Sequence, residues 1–224
     1  EAELKNQLTE LLIKYKHLAV RPDSTPIPHF GDYLYPNESL SSAIKSILFS
    51  LESGRHVILT GKEGCGKTQV ALWISDYYNK TLIPLIGSDD SAPPPSDPAD
   101  IPDTLDDFYC ICTEDTKVAD LVGKQSPAST AKAGDELIVF EQGFLTKAIK
   151  RGKCAVLESI DEAPATVTER LNGLLDQKYD NEDKYFDIPE DPKNPKVLIK
   201  NTFRILSTCN IEKIGLISPA FLNR

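Results

Sequence analysis

The sequence predicts an α/β fold, a three-layer sandwich in which a mostly parallel sheet carries helices on both faces. Three observations predict it. The glycine-rich segment Gly61-Lys62-Glu63-Gly64-Cys65-Gly66-Lys67-Thr68 joins the apolar run at residues 56–60 to a helix-like run at residues 69–75. Beyond it, short apolar runs of strand length alternate with segments of helical period. A chain of 224 residues, 40% hydrophobic and 26% charged, is also large enough for one α/β core with attachments.

Taken in order, Leu4, Leu8, Leu11, Leu12, Tyr15 and Leu18 recur at helical spacing, so the chain opens with a predicted amphipathic helix that must bury its apolar stripe. A Pro-rich connector at residues 21–36 ends it. These two features form a predicted N-terminal region at residues 1–38, followed by a core at 39–224. A helix start at Asn37-Glu38-Ser39 leads into Leu40, Ala43, Ile44, Ile47, Leu48 and Leu51 on one face, with a stop at Ser53-Gly54. The first strand runs through residues 57–60, the glycine-rich loop and its helix follow, and an apolar stretch covers 81–86. Further strands are predicted near 108–112, at 137–140, 154–157 and 203–210, with helices at 144–150 and 166–176. Residues 113–120 are expected as a loop.

The formal net charge of −9 argues against a general nucleic-acid binder, because such binding needs clustered Lys and Arg. Much of the negative charge falls in residues 88–107 and 176–191, both expected as surface insertions. The first, an acidic Pro-rich insertion near 87–107, mixes Pro, Asp and Ser without periodicity. Five cysteines, Cys65, Cys110, Cys112, Cys154 and Cys209, lack metal-ligand spacing, and Cys110 and Cys112 fit alternate positions of a strand. They suit a reducing, intracellular compartment, cytoplasmic or nuclear. No stretch is long and apolar enough to span a bilayer, so no membrane contact is expected. The absence of methionine, with an end at Arg224 inside a motif, marks the chain as an expected piece of a longer protein.

The glycine-rich loop has the pattern of a phosphate-binding P-loop. Glycines let backbone N–H groups of Gly61, Lys62, Glu63, Gly64, Cys65 and Gly66 curl around the α- and β-phosphates. Lys67 places a point charge near the β- and γ-phosphates, and the Thr68 hydroxyl is suited to Mg²⁺. Gln69 follows in the first turn of a helix whose positive end lies beneath the anion. ATP or GTP is the implied ligand, and the lack of an Asn-Lys-x-Asp segment disfavours GTP.

Downstream segments narrow the class. Thr113-Glu114-Asp115-Thr116 with Asp120-Leu121-Val122-Gly123, the run 154–164 ending in Ala163-Pro164, Leu171 to Asp176, Asn210, and Ser218 to Arg224 resemble the dynein-related, midasin-like branch of AAA+ ATPases. The resemblance runs from about Leu40 to the end, leaves the acidic insertion unexplained, and implies an AAA+ P-loop NTPase fold whose usual C-terminal helical lid is absent. It implies ATP and Mg²⁺ as ligands. Asn210 would hold the attacking water or the γ-phosphate, and Arg224 would act as an arginine finger on a neighbouring module's site. The implied partners are neighbouring AAA+ modules in the same chain or ring and a protein or ribonucleoprotein substrate.

One departure bears on mechanism. The family pattern ends its Walker B strand in Asp-Glu, whereas an ungapped alignment places Glu158 and Ser159 there. Glu158 can still reach a metal shell, but serine is a poor base at neutral pH. Asp161-Glu162 follow three residues on, and a shifted strand end would bring that pair to the site; otherwise it caps the next helix. The shift would leave Glu158 inside a buried strand, where an unpaired carboxylate is costly, so the ungapped alignment is preferred. Two functions stay open: a motor module that remodels assemblies by ATP binding and hydrolysis, and a hydrolysis-impaired structural module that supplies Arg224 to its neighbour.

Overall fold

The computed structural model describes residues 38–86, 105–127, 138–175 and 184–223. The N-terminal helix and connector, most of the acidic Pro-rich insertion, and Arg224 lie outside the described residues. Helix α1 (Glu38–Glu52) buries Ile44, Ile47, Leu48 and Leu51, the stripe its sequence period sets. Strand β1 (Val57–Gly61) leads into the glycine-rich loop and then helix α2 (Lys67–Tyr77). A π-helical turn, Tyr78–Leu82, joins α2 to the short α3 (Ile83–Ile86). Pro84 within α3 lacks an N–H and crowds the carbonyl four residues back, which accounts for the widened turn before it.

After a 3₁₀ turn (Leu105–Phe108) come β2 (Tyr109–Ile111) and α4 (Val118–Val122). Strands β3 (Gly123–Pro127) and β4 (Ile138–Gln142) pair antiparallel, and α5 (Phe144–Arg151) leads to β5 (Cys154–Glu158). A 3₁₀ turn (Ile160–Glu162) and α6 (Ala165–Leu175) follow. The antiparallel pair β6 (Tyr185–Asp187) and β7 (Lys196–Leu198) precedes β8 (Arg204–Asn210), and a 3₁₀ turn (Ile214–Leu216) precedes α7 (Pro219–Leu222).

The main sheet has the order β1-β8-β5-β2, with every neighbouring pair parallel. Residues Cys154 to Leu157 are all buried, because both sides of a parallel sheet are covered. Alternation sorts them: Cys154 and Val156 face a core shared with α1 and α2, while Ala155 and Leu157 face one shared with α5 and α6. The result is a three-layer α/β architecture, a parallel sheet with helices on both faces.

Buried Arg204 ties α1 to β8. Its Nε donates to the Leu51 carbonyl at 2.6 Å and one terminal nitrogen to those of Asn201 and Phe203, each at 2.6 Å. Nearby, His56 Nδ1 accepts the Ile205 N–H at 2.9 Å, which extends the contact between β8 and the start of β1.

Two expectations are corrected. The acidic segment at 176–191 is not wholly a surface insertion: β6 lies within it, Phe186 and Ile188 are buried, and buried Asp191 accepts the N–H groups of Lys193 and Asn194. Alternating apolar residues dock the hairpin on the core, and a turn-capping carboxylate closes it. The expected loop at 113–120 is a tight turn, with Thr116 N–H on the Thr113 carbonyl, running directly into α4.

Candidate nucleotide site

Parallel pairing brings the carboxyl ends of β1, β8 and β5 to one edge, where loops of an open α/β sheet bind ligands. Gly64 and Gly66 take φ of 73° and 86°, left-handed values that let the chain turn back sharply. At Gly61 a Cβ would lie 2.8 Å from Sγ of the exposed Cys65, so a side chain there would have to push that thiol aside. Gly66 ends the loop as the N-cap of α2. Lys67 Nζ donates to the carbonyls of Gly61 at 2.9 Å and Lys62 at 2.8 Å, so the ammonium is held over the loop. Gln69 and Cys65 are exposed.

The Thr68 hydroxyl donates to Glu158 Oε1 at 2.6 Å. The other carboxylate oxygen, Oε2, accepts the Tyr109 phenol. Glu158 is thus the last residue of β5 and faces the first turn of α2, the position the ungapped alignment gives it. Ser159 follows in the left-handed region at φ 54°, the one non-glycine residue among those described with positive φ. Its N–H donates to Thr208 Oγ1 at 3.0 Å, and the chain then turns into the 3₁₀ segment that contains Asp161 and Glu162.

Asn210 stands opposite Gly61 in the β1–β8 register. Its side-chain amide donates to Glu63 Oε1 at 3.2 Å, its N–H to Asp161 Oδ1 at 3.2 Å, and its Oδ1 accepts the Glu212 N–H at 3.1 Å. Glu162 is turned away to an ion pair with Lys213. Burial, with Asp161 next in effect, pushes the Cys209 thiol up to about 11. Burial likewise pushes Cys112 up to about 12, with Cys110, Asp161 and Glu158 adding to it. All five cysteines are free thiols.

The structure therefore brings Gly61 to Thr68, Glu158 and Asn210 to one edge, sets Asp161 against the Asn210 backbone and directs Glu162 elsewhere. Arg224 lies outside the described residues; before it, α7 is capped by Ser218 Oγ, which accepts the Phe221 N–H at 3.2 Å. Sequence reasoning missed Tyr109 and Thr208, whose contacts depend on strand register rather than on any motif.

The arrangement suits a magnesium-bound nucleotide. A hydroxyl and a carboxylate are the hard oxygen donors that Mg²⁺ takes, and the loop with its helix N-terminus is an anion cradle. When bound, Mg²⁺ neutralises charge on the phosphate oxygens. Thr68 and Glu158 are the residues that could hold such an ion, and Lys67 and the loop amides those that could hold the phosphates. Among the described residues no group of three or more His, Cys, Asp or Glu forms a separate metal cluster, and no helix is long and apolar enough to cross a membrane.

Fold and site together define a P-loop nucleotide-binding module. The profile of the AAA domain, dynein-related subfamily, matches residues 105–224, more than half of the chain. The chain belongs to this family and is an AAA-type ATPase module. The glycine-rich loop precedes the matched residues and is recognised by its own motif and geometry. The uncharacterized protein YojN of Bacillus subtilis (strain 168) is 23% identical over 175 residues, which cover 78% of this chain and 48% of that protein. The chain thus spans about half the length of this curated relative. Among solved structures, a protein of Cytophaga hutchinsonii provisionally described as an ATPase matches over 100% of this chain and 53% of its own, with 15% identity and a TM-score of 0.47. NtrX of Brucella abortus in complex with ADP matches over 100% of this chain and 39% of its own, also with 15% identity and a TM-score of 0.47.

Proposed function

We propose that this chain is an ATP-binding module of a larger, ring-forming, midasin-like AAA+ protein that remodels protein or ribonucleoprotein assemblies through ATP binding and hydrolysis. The observation that carries the nucleotide reading is the Thr68–Glu158 hydrogen bond, 2.6 Å long, directly after the glycine-rich loop. It holds a metal-suited hydroxyl and carboxylate together beside the phosphate cradle. Neighbouring AAA+ modules are the expected partners, with Arg224 reaching a neighbour's site. Five free thiols support an intracellular location, cytoplasmic or nuclear.

A second reading, a hydrolysis-impaired module that serves its neighbour, is favoured by Ser159. The residue after Glu158 brings no carboxylate, and its backbone is turned onto Thr208. Asp161 is the carboxylate left to orient a water in the first reading, since it already sits on the Asn210 N–H.

The deciding experiment measures ATP binding and phosphate release with the neighbouring modules present, their own P-loops disabled, and Lys67→Ala as control. Turnover lost in Lys67→Ala supports the motor reading with Asp161 as the acid. Lys67-dependent binding without turnover supports the second reading. Absence of ATP binding refutes both.

A further inference from the structure

We propose that Tyr109 is a positioning residue that fixes the Glu158 carboxylate for the magnesium-bound nucleotide, an inference that rests on the nucleotide-site reading above. Strand register puts it in reach. Tyr109 pairs with Val156, and Glu158 lies two residues beyond Val156, so the Tyr109 and Glu158 side chains leave the sheet on the same face. That face is the one covered by α2, which begins with Lys67 and Thr68. The Tyr109 ring packs against the core formed there by Val156, Leu206 and the α2 side chains. An aromatic residue at a diagonal position is long enough to reach its neighbour, and here its phenol donates to Glu158 Oε2.

The two carboxylate oxygens consequently have separate duties. Oε2 is fixed from the β2 side and Oε1 is turned to the Thr68 hydroxyl. Glutamate needs this more than aspartate would, since its extra methylene gives one more rotatable bond between β5 and the carboxylate. A core-packed phenol restricts that freedom by donating a charge-assisted bond from a rigid ring. Tyr109 itself need not touch the nucleotide; it acts through Glu158.

The test is Tyr109→Phe, which keeps the ring in the core and removes only the hydroxyl. ATP affinity is measured with Mg²⁺ and with EDTA, in the Glu158 and the Glu158→Ala backgrounds. The expected result is about a tenfold loss of affinity with Mg²⁺. Less than about a twofold change is expected with EDTA or in the Glu158→Ala background, where no carboxylate remains to be positioned. A second readout needs no nucleotide: in EDTA, thermal stability of the four variants should show non-additive coupling between positions 109 and 158. Equal losses with and without Mg²⁺, or in both backgrounds, would overturn the proposal and leave Tyr109 a packing residue. If the unmutated protein binds no ATP, the nucleotide-site reading itself fails; if it binds and the Mg²⁺ dependence ignores Tyr109, only this inference fails.

Discussion

Thr68 and Glu158, 90 positions apart in sequence, are joined by a 2.6 Å hydrogen bond from hydroxyl to carboxylate. The bond is possible because β5 and α2 bring their adjoining ends together on one side of the sheet, and it is part-buried. Thr68→Ala removes a donor to a charged group and should weaken Mg·ATP binding by about tenfold or more, a typical charged hydrogen-bond contribution. Thr68→Ser, which retains the hydroxyl, should stay within about threefold. Calorimetric titration with Mg·ATP checks both, and equal losses in Ala and Ser would remove the hydroxyl from the site.

Ser159 permits a separate prediction about turnover and strain. If the second functional reading holds, Ser159→Glu should raise phosphate release, because it restores a carboxylate after Glu158. The left-handed backbone also ranks substitutions. A β-branched side chain at φ 54° is strained, so Ser159→Val should lose about 2 kcal/mol, whereas Ser159→Gly should lie within about 1 kcal/mol of the parent. Chemical denaturation measures the order, and a Val variant as stable as Gly would refute the strain.

The parts of the site that sequence made legible are those written in contiguous residues. The loop from Gly61 to Thr68 has its function in its spacing, and Ala163-Pro164 after the apolar β5 run fixes where Glu158 falls. Helix α1 and strand β5 were equally legible, since a period of 3.6 or an unbroken apolar run reflects burial on one face or two. Tyr109 was not legible, because a parallel strand finds its neighbour through a crossover whose register no local pattern records. The same holds for Thr208, which receives Ser159 N–H from an adjacent strand. The hairpin β6–β7 was obscured by the acidic residues around it, although Phe186 and Ile188 alternate as a docked strand should.

Gly143 tests the close packing of α4 against α5. It is the N-cap of α5 with an ordinary φ of −70°, so alanine meets no backbone strain there. A Cβ would nevertheless fall 2.2 Å from the Leu121 carbonyl oxygen and 2.6 Å from its carbon, both backbone atoms that cannot swing aside. Gly143 N–H also donates to the Val122 carbonyl at 2.9 Å, and Thr146 Oγ1 to the same oxygen at 2.6 Å, so α4 and α5 are locked at this distance. Gly143→Ala should cost about 2–3 kcal/mol and lower Tm by about 5–10 °C. A melting curve that overlays the parent's would mean that the two helices separate freely.

His56 predicts how stability follows pH. Burial, reinforced by the Arg204 guanidinium, pushes the imidazole down from 6.5 to about 4. Geometry agrees, because Nδ1 accepts the Ile205 N–H at 2.9 Å and a proton there would destroy that bond. The unfolded chain takes up its proton near 6.5, while the folded chain resists until about 4. Between these values the unfolded state binds more protons, so this contribution falls as pH is lowered through the window and is flat above it. The loss attributable to His56 should reach roughly 2 kcal/mol at pH 5. Carboxylates add their own acid dependence, so the quantity to read is the difference from His56→Asn, whose side-chain oxygen can accept the Ile205 N–H without titrating. Denaturant midpoints at pH 7.5 and 5 should converge as pH falls, the parent losing more than the variant. Parallel losses in the two proteins would show that the imidazole changes charge as readily in the fold as in the open chain.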